Sequence, residues 1–242
     1  MICFHHGLLP RVFAASLGLR LPVICSERNS LEIYDHITQT RKWSLSFIML
    51  ALTSFITVQF PRYIRDYPWW LRTRMCVIPN PVFSKKKYAV PDRPSLEGRF
   101  TLLHVGRLCD QKNLVLLINS FACISDRNPL WDLKIVGDGE LEGDILALIT
   151  SLGLVNRVFL LGKRHDIPEL LLASHLFCLP SKWEGFPNAL AEAMAQGLPS
   201  VGLWNCSGVR DLIVNYETGR LTDELGLPKT LDELMHDPES RH

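Results

Sequence analysis

The sequence predicts an α/β protein whose carboxy-terminal part is a doubly wound parallel sheet with helices on both faces. From Arg99 onward, short apolar runs alternate with stretches of helical periodicity, which is typical of right-handed β-α-β units. The chain has 242 residues, 47% of them hydrophobic and 21% charged, as expected for a folded globular protein. The formal net charge is +1, which excludes attraction of nucleic acid or an anionic membrane by the overall field.

Five apolar runs after Arg99 are predicted as strands buried on both faces, because they lack the alternation of a half-exposed strand. They cover residues 100–106, 133–137, 158–162, 176–180 and 199–203. The helices predicted between them cover residues 112–125, 140–152, 167–174, 187–196 and 209–214. Strands that alternate with helices in this way predict a parallel sheet.

The first 78 residues contain fewer recognisable elements. Their patterns predict a strand at 2–4, a helix at 9–17 and a strand at 21–25. Residues 43–61 carry no charge and are long enough for a membrane-spanning helix. Their hydroxyl side chains and the β-branched run 55–60 instead favour a buried helix followed by a buried strand. We expect these elements to be too few to close a sheet of their own.

A polar, proline-rich segment before residue 99 predicts a boundary between two domains. We expect a partial amino-terminal Rossmann-like domain at 1–82, a linker at 83–98 and a carboxy-terminal Rossmann-like domain at 99–242. An amphipathic helix begins near Leu231, shortly before the sequence stops. We therefore expect a chain that is truncated at both ends.

Seven cysteines are scattered through the sequence without a Cys-x-x-Cys pair. This pattern predicts reduced, buried thiols rather than a disulfide framework or a zinc site. The first residues lack the basic and apolar regions of a signal peptide. The sequence therefore predicts a cytoplasmic protein without a bound metal.

Polar residues at the carboxyl ends of the strands are candidate site residues, because open parallel sheets bind ligands there. The first long strand ends at Gly106-Arg107, and Asp110 is predicted as the N-cap of a helix with Lys112 in its first turn. Because a cation there opposes the helix dipole, Arg107 and Lys112 suggest a phosphate clamp. The alternative is that both are ordinary solvated basic residues. Arg164 lies in a polar loop predicted on the same edge.

The segment 180–194 is the strongest candidate. Gly185 permits close backbone approach, and Pro187 suits the first turn of a helix. The helix is mostly apolar, so Glu192 is predicted to be buried, where a sugar diol would satisfy its carboxylate. The alternative partner of Glu192 is a nearby arginine. Glu184 lies one loop earlier, where other hydroxyls of an extended ligand would pass.

These motifs carry a resemblance to a known family. The run Glu184-Gly185-Phe186-Pro187-Asn188 leading to Glu192, preceded by His104-Val105-Gly106-Arg107 and Lys112, resembles the family 4 retaining glycosyltransferases, also called glycosyl transferases group 1. The resemblance implies the GT-B fold, in which two Rossmann-like domains occur and the carboxy-terminal one binds most of the nucleotide-sugar donor.

The resemblance also implies roles for the matching residues. Glu192 would bind the ribose hydroxyls, Glu184 the donor sugar in the catalytic centre, and Arg107 with Lys112 the diphosphate. The other predicted donor-binding residues are Gly106, Arg164, Gly185, Phe186, Pro187, Asn188, Ala189 and Leu190.

His6 and Glu27 are further catalytic candidates because each follows a predicted strand of the amino-terminal part. There they would border the acceptor side of the site. The alternative is that they are structural or solvated residues.

The implied activity is transfer of a hexose or N-acetylhexosamine from a nucleotide diphosphate sugar to a glycan or lipid-linked acceptor, with retention of configuration. The residues 26–29 and 78–82 are similar to the subset that builds bacterial surface polysaccharides. The alternative is a catalytically inactive, truncated remnant that only binds nucleotide sugar. A third interpretation is a small monotopic membrane protein that uses residues 43–60.

No cofactor is expected besides the co-substrate, for which a UDP-sugar is favoured, and nucleic acid is not an expected partner. A peripheral contact with the cytoplasmic face of the inner membrane is a further expectation, suggested by Trp69, Arg72 and the lysines at 85–87. An aromatic core pair and a solvated linker are the alternative explanations for these residues.

Overall fold

The structure is a computed structural model that describes residues 1–19, 21–31, 45–82, 87–238 and 241. The chain divides into two compact units. The first unit contains Met1–Pro81 and Glu184–Phe186, and the second contains Val82–Trp183 and Pro187–His242. Each unit is built on a parallel sheet.

The first unit holds a four-stranded parallel sheet in the order β1-β2-β3-β4. Its strands are β1 (Ile2–Phe4), β2 (Ile24–Ser26), β3 (Phe55–Val58) and β4 (Met75–Val77). Its helices are α1 (Leu9–Ala15), α2 (Leu45–Ala51), α3 (Pro61–Asp66) and α4 (Trp69–Arg72). The prediction that this part is too small to form a sheet of its own is therefore wrong. Strand β4 was not predicted, and it pairs with β3 at the edge of the sheet.

The core of the first unit lies on one face of this sheet. Cys3, Cys25 and Ile56 stand next to one another across β1, β2 and β3, and each is at most 2% exposed. Phe47 and Leu50 of α2 are also buried. The predicted helix and strand in residues 43–61 are found as α2 and β3, each buried in part, since Ile48 is 52% and Phe55 56% exposed. Residues 43 and 44 lie outside the described residues. Among the described helices, none has the length and apolar character needed to cross a membrane.

The second unit holds a six-stranded parallel sheet in the order β10-β9-β8-β5-β6-β7. Its strands are β5 (Phe100–Val105), β6 (Trp131–Val136), β7 (Val158–Leu160), β8 (Leu176–Leu179), β9 (Ser200–Leu203) and β10 (Arg220–Thr222). Its helices are α5 (Leu114–Ser125), α6 (Glu142–Ser151), α7 (Ile167–Leu172), α8 (Asn188–Ala195), α9 (Ser207–Leu212) and α10 (Leu227–His236).

Helices cover both faces of the second sheet. Leu102 of β5 belongs to a core cluster with residues of α5, α6 and α10. Its neighbour Leu103 belongs to a second cluster, with residues of α7, α8 and α9. Successive side chains of a strand point to opposite faces, so β5 is buried on both of them. This confirms the predicted α/β fold class with a doubly wound parallel sheet.

Candidate functional site

The order of the strands defines where a ligand would meet the second unit. On one side of β5 lie β6 and then β7, and on the other side lie β8, β9 and β10. The crevice outside the carboxyl ends of such strands, at the point where the order reverses, is the usual ligand site of this architecture. The candidate site is therefore the edge formed by the loops after β5 and β8.

The loops after β5 and β6 are joined by backbone contacts. The amide of Gly106 donates to the carbonyl of Val136 at 3.0 Å, and the amide of Leu108 donates to the carbonyl of Asp138 at 2.9 Å. Gly137 has a φ of 140°, and a Cβ there would collide with the carbonyl oxygen of Gly106. Only glycine fits both constraints, so the backbone at Gly106 is held in one place.

The predicted helix after β5 begins later than expected. Asp110–Lys112 form a short 3₁₀ turn, Asn113 adopts a left-handed conformation with a φ of 51°, and α5 starts at Leu114. Lys112 is therefore not in the first turn of an α-helix, and the argument from the helix dipole does not apply to it. Arg107 is exposed and Lys112 is half-buried at this edge.

Asp110 has a different role from the one predicted. No side-chain capping hydrogen bond is formed at the start of α5. The Asp110 carboxylate instead pairs with the ammonium of Lys182 in the loop after β8. The amide of Lys182 donates to the carbonyl of Gln111 at 2.9 Å, and the Gln111 side chain donates to the carbonyl of Trp183 at 2.8 Å. The two loops at the switch point are thus connected directly.

His104, in β5, also belongs to this edge, although the sequence analysis gave it no role of its own. Its ring is 0% exposed, and Nδ1 lies 2.9 Å from the carbonyl oxygen of Cys178. A carbonyl only accepts hydrogen bonds, so the proton is on Nδ1. Burial lowers the pKa of His104 to about 4, and the positive charge of Lys112 acts in the same direction. The ring is therefore neutral at physiological pH.

The second nitrogen of His104 faces the candidate site. Nε2 is buried and has no hydrogen-bond partner among the described residues. A Cβ on Gly106 would lie 3.0 Å from this nitrogen and 3.1 Å from Cε of Lys112. The imidazole and the aliphatic part of Lys112 therefore both lie next to Gly106. A histidine inside an apolar strand was the sequence signal that could have identified this cluster.

Helix α8 carries several of the predicted donor-binding residues. Its N-cap is Pro187, Leu190 and Ala193 are fully buried, and Asn188 is exposed. The prediction that Glu192 is buried is wrong, because its side chain is exposed. Partial desolvation by the surrounding protein still raises the pKa of the Glu192 carboxyl. Ala189 is half-buried next to it on the first turns of the helix.

Glu184–Phe186 belong to the first compact unit rather than the second. The Tyr63 hydroxyl donates to the carbonyl of Gly185 at 2.8 Å, and the ring of Phe186 stacks on Phe60 with centroids 5.3 Å apart. Glu184 is buried, with 6% exposure. A Cβ on Gly185 would collide with the carbonyl oxygen of Arg28, which explains the glycine at this position.

Arg164 is engaged by a neighbour in its own loop. Its guanidinium makes a bidentate contact with the Asp166 carboxylate, at 2.8 and 2.6 Å. This contact raises the pKa of Arg164 and lowers that of Asp166. Both groups are solvent-exposed, so the pair is open to exchange with a ligand anion.

The two remaining predicted residues, His6 and Glu27, meet in the first unit. Nδ1 of His6 lies 2.9 Å from Oε2 of Glu27, and the His6 amide donates to Oε1 at 2.6 Å. The Cys25 thiol donates to Oε1 and the Tyr67 hydroxyl to Oε2, each at 3.3 Å. Burial alone would raise the pKa of Glu27, but the hydrogen bond and charge of His6 outweigh it, and the pKa is lowered. His5 stacks on the ring of His6, with centroids 4.5 Å apart.

Two further observations concern other kinds of site. Within the described part of the chain, no group of three or more His, Cys, Asp or Glu residues is placed to hold a metal ion. A cavity of about 280 Å³ opens beside Met194, Tyr216 and Arg220. It reaches the first residues of β9 and β10, so it lies at the opposite end of the strands from the candidate site.

Comparison with protein families matches residues 89–242 to the family "Glycosyl transferases group 1". A curated relative, an "Uncharacterized glycosyltransferase" of Haemophilus influenzae, is 36% identical over 165 residues, which cover 66% of this chain and 45% of the relative. Another, the "UDP-Gal:alpha-D-GlcNAc-diphosphoundecaprenol alpha-1,3-galactosyltransferase" of Escherichia coli, is 37% identical over 161 residues, 62% of this chain and 41% of the relative. The chain thus spans less than half the length of these curated relatives.

Solved structures show the same fold. Anabaena HepE in complex with UDP-glucose superposes with a TM-score of 0.81 at 23% identity, over 99% of this chain and 70% of that one. The lipopolysaccharide outer core galactosyltransferase WaaB superposes with a TM-score of 0.72 at 23% identity, over 97% and 65%. These similarities confirm the predicted GT-B type of fold class. Together with the family match over residues 89–242, they establish that this chain belongs to the glycosyl transferases group 1 family.

Proposed function

We propose that this protein transfers a hexose or N-acetylhexosamine from a nucleotide diphosphate sugar, preferably a UDP-sugar, to a glycan or lipid-linked acceptor with retention of configuration. The observation that carries the proposal is the edge at the switch point between β5 and β8, where Gly106, Arg107 and Lys112 adjoin the loop 181–183. Two basic side chains at a fixed backbone position suit a diphosphate.

The proposed chemistry requires stabilisation of the charge that develops on the leaving diphosphate. Arg107 and Lys112 would neutralise this charge without a metal ion. The ring of His104, which lies next to Gly106, is neutral, so it adds no competing positive charge. Glu192 would bind the ribose hydroxyls from α8, and Glu184 would contact the donor sugar.

The names of relatives support the donor and acceptor classes. The Escherichia coli relative is named for a UDP-galactose donor and a diphosphoundecaprenol-linked acceptor, and the HepE structure contains UDP-glucose. Relatives named as transferases favour an enzyme over a remnant that only binds nucleotide sugar. Retention rests on the resemblance of the motif from Glu184 to Glu192, and the surface-polysaccharide type rests on the similarity of residues 26–29 and 78–82 to that subset.

We also propose that the first unit contacts an anionic membrane surface peripherally. Trp69 is 78% exposed in α4, and Arg65 and Arg72 are exposed beside it. The Arg72 guanidinium donates to the carbonyls of Tyr67 and Arg65, at 2.9 and 2.8 Å, which fixes the turn that presents Trp69. An exposed indole next to cations is suited to a lipid headgroup region. Lys85 and Lys86 lie outside the described residues.

The donor site is tested by thermal-shift and calorimetric titration with UDP, GDP and their sugars. We expect saturable stabilisation by one nucleotide, and an affinity weakened roughly 10- to 100-fold by Arg107→Ala because a charge-assisted contact is lost. Glu192→Ala should weaken binding of the nucleotide by a smaller factor. The control Lys229→Ala removes an exposed cation from α10 and should leave the affinity unchanged.

Transfer itself is then followed with the nucleotide that binds and a panel of polyprenyl diphosphate sugars. NMR of the product assigns the anomeric configuration and so tests retention. Absence of stabilisation by every nucleotide, in a sample shown to be folded, would contradict the assignment of the donor site. Nucleotide binding without transfer to any acceptor would favour the binding remnant instead.

A further inference from the structure

Arg28 is an exposed arginine whose side chain is held in one place by its neighbours. Its Nη1 donates to Oδ1 of Asn80 at 3.1 Å, and its guanidinium lies over the ring of Phe4, 5.1 Å from the ring centroid. The same Oδ1 accepts a hydrogen bond from Nε2 of Gln59 at 3.0 Å, and Gln59 is buried. A hydrogen bond and a stacked ring thus restrict a side chain that otherwise has many rotamers.

This group lies at the carboxyl ends of the strands of the first sheet. Phe4 is the last residue of β1, and the loops after β2, β3 and β4 supply Arg28, Gln59 and Asn80. The segments 26–29 and 78–82, noted in the sequence, meet through the bond between Arg28 and Asn80. Carboxyl ends of parallel strands share one edge, where α/β sheets bind their ligands. The guanidinium of Arg28 is therefore exposed at the ligand-binding edge of the first unit.

The contacts of Arg28 leave its positive charge unpaired. Its partners are a neutral amide oxygen and an aromatic ring, and within the described ranges of the chain its guanidinium has no carboxylate partner. The oxygens of the adjacent Glu27 accept hydrogen bonds from buried donors of the first unit instead. A guanidinium has several N–H donors, and Asn80 uses one of them. Arg28 therefore presents a fixed cation whose other donors are available to an anion.

The backbone of Arg28 contacts the motif that carried the family resemblance. A Cβ on Gly185 would collide with the carbonyl oxygen of Arg28, so the two backbones approach as closely as glycine allows. Glu184–Phe186 belong to the same compact unit as Arg28. In the proposed function Glu184 contacts the donor sugar. A substrate that reaches this sugar along the edge of the first sheet would therefore pass Arg28.

We propose that Arg28 binds the phosphate groups of a diphosphate-linked acceptor substrate. The inference rests on the proposed glycosyl transfer and assigns to it a residue that recognises the acceptor. A guanidinium presents paired N–H donors that match two oxygens of a phosphate. In a diphosphate-linked monosaccharide the accepting hydroxyl and the diphosphate are carried by the same sugar, so a cation near the donor sugar suits this acceptor class. Arg28 binds the substrate and takes no part in breaking or forming bonds.

Binding is measured directly by NMR of the Nε–H group of Arg28, whose signal is assigned by its loss in Arg28→Gln. The probe is geranyl diphosphate, and geraniol is its uncharged counterpart. The titration uses the Arg107→Ala protein, which lacks a cation of the proposed donor site. We expect a saturable shift of the Arg28 signal with geranyl diphosphate and none with geraniol. An unmoved signal with geranyl diphosphate, or equal shifts with both compounds, would overturn the proposal.

Kinetics add a second readout once a transfer assay exists. Arg28→Gln should raise KM for a polyprenyl diphosphate sugar roughly 10- to 100-fold, because a charge-assisted contact is lost. Transfer to the same sugar as an uncharged alkyl glycoside, and the affinity for nucleotide, should stay unchanged. Arg28→Lys keeps the charge without the paired donors, so its KM should rise by a smaller factor. Equal losses with both acceptors, or a weakened affinity for nucleotide, would contradict recognition of the acceptor phosphate.

Two variants and one further assay test the specificity of the effect. Arg127→Gln makes the same chemical change at an exposed arginine before β6 and should keep the wild-type KM. Phe4→Leu keeps the charge and removes the stacked ring, so KM should rise only roughly two- to fivefold. Loss of binding to anionic vesicles in Arg28→Gln would assign the cation to a lipid surface and overturn the proposal. The NMR titration needs neither nucleotide nor transfer, so failure of the proposed function remains distinguishable.

Discussion

Both units place a buried histidine near the carboxyl end of a strand, yet the two imidazoles meet opposite surroundings. His6 follows β1 and contacts the carboxylate of Glu27. His104 lies in β5, contacts the carbonyl of Cys178 and has the cation of Lys112 nearby. In both rings Nδ1 carries a proton, but only His6 has an anionic partner.

The difference teaches that position in the fold does not set the electrostatics of a site. The same residue type at a similar place in two parallel sheets is paired with a charge in one case and kept neutral in the other. In the first unit, several hydrogen-bond donors surround the buried carboxylate of Glu27 and offset the free-energy cost of its desolvation. In the second unit the edge is built mainly from backbone hydrogen bonds and glycines, with a neutral ring under them.

The largest expected effect tests whether the edge of the second unit depends on its backbone contacts. Gly137→Ala should lower the free energy of unfolding by about 3 kcal/mol, because a Cβ there collides with the Gly106 carbonyl at a φ that side chains avoid. Urea denaturation measures the change.

The matched control for this prediction is Gly143→Ala in α6. A Cβ there meets no atom within 4 Å, and alanine favours the helix, so stability should rise by about 0.5–1 kcal/mol. Equal changes in the two variants would show that the backbone arrangement around Gly106 is not a rigid part of the site.

The second prediction concerns the neutral histidine. The pKa of His104 in the folded protein, about 4, lies below the ordinary histidine value of 6.5, so between these pH values the unfolded chain binds a proton that the folded protein does not. Stability is therefore expected to fall as pH is lowered through this window. His104→Leu should reduce the change in the free energy of unfolding between these two pH values by up to about 3 kcal/mol. Urea denaturation at pH values from about 4 to 6.5 measures this change.

Two further results distinguish the effect of the buried His104 ring on stability from the effects of other groups. His104→Leu also leaves the Cys178 carbonyl without its donor, which should cost about 1 kcal/mol at neutral pH. His165→Leu removes an exposed imidazole and should keep the wild-type slope. If His104→Leu has the same pH dependence as the wild type, the comparison between the two histidines fails.

The smallest expected effect concerns a surface feature of the first unit. Trp69→Ala should weaken binding to vesicles containing anionic lipid by roughly severalfold, because the indole no longer inserts among headgroups. Co-sedimentation with anionic and with neutral vesicles measures the change. The exposed Trp204 of the second unit provides the control Trp204→Ala, which should bind as the wild type does. Equal binding of anionic vesicles by the wild type, Trp69→Ala and Trp204→Ala would contradict the proposed membrane contact.

Much of the fold could be predicted because its signals are local in the sequence. The apolar runs of β5 to β9 and the helices between them follow from periodicity, and each lies within a few residues of the predicted bounds. The strands β4 and β10 were not predicted, and each lies at an edge of its sheet and pairs with one neighbouring strand. Pairing with a neighbouring strand stabilises them, and a window of sequence does not contain that information.

The candidate site, like the fold, could be predicted only in part from the sequence. Short sequence motifs were sufficient to identify the family, because their residues are contiguous or closely spaced. These motifs are Gly106-Arg107 with Lys112, and the run from Glu184 to Glu192. The sequence did not indicate that Lys112 precedes α5, or that Glu192 is exposed. Whether a side chain on a short apolar helix is covered depends on neighbours from other elements, which helical periodicity does not specify.

By itself, the sequence determined the alternation of strands and helices, the α/β class and the family, because hydrophobic periodicity and short motifs act over a few residues. Only the tertiary structure decided the state of the buried groups. His104 and Cys178 are 74 residues apart, and Glu27 and Tyr67 are 40 apart. Desolvation and hydrogen bonding act through space, so the charge and tautomer of a residue follow from which distant segments the fold brings to it.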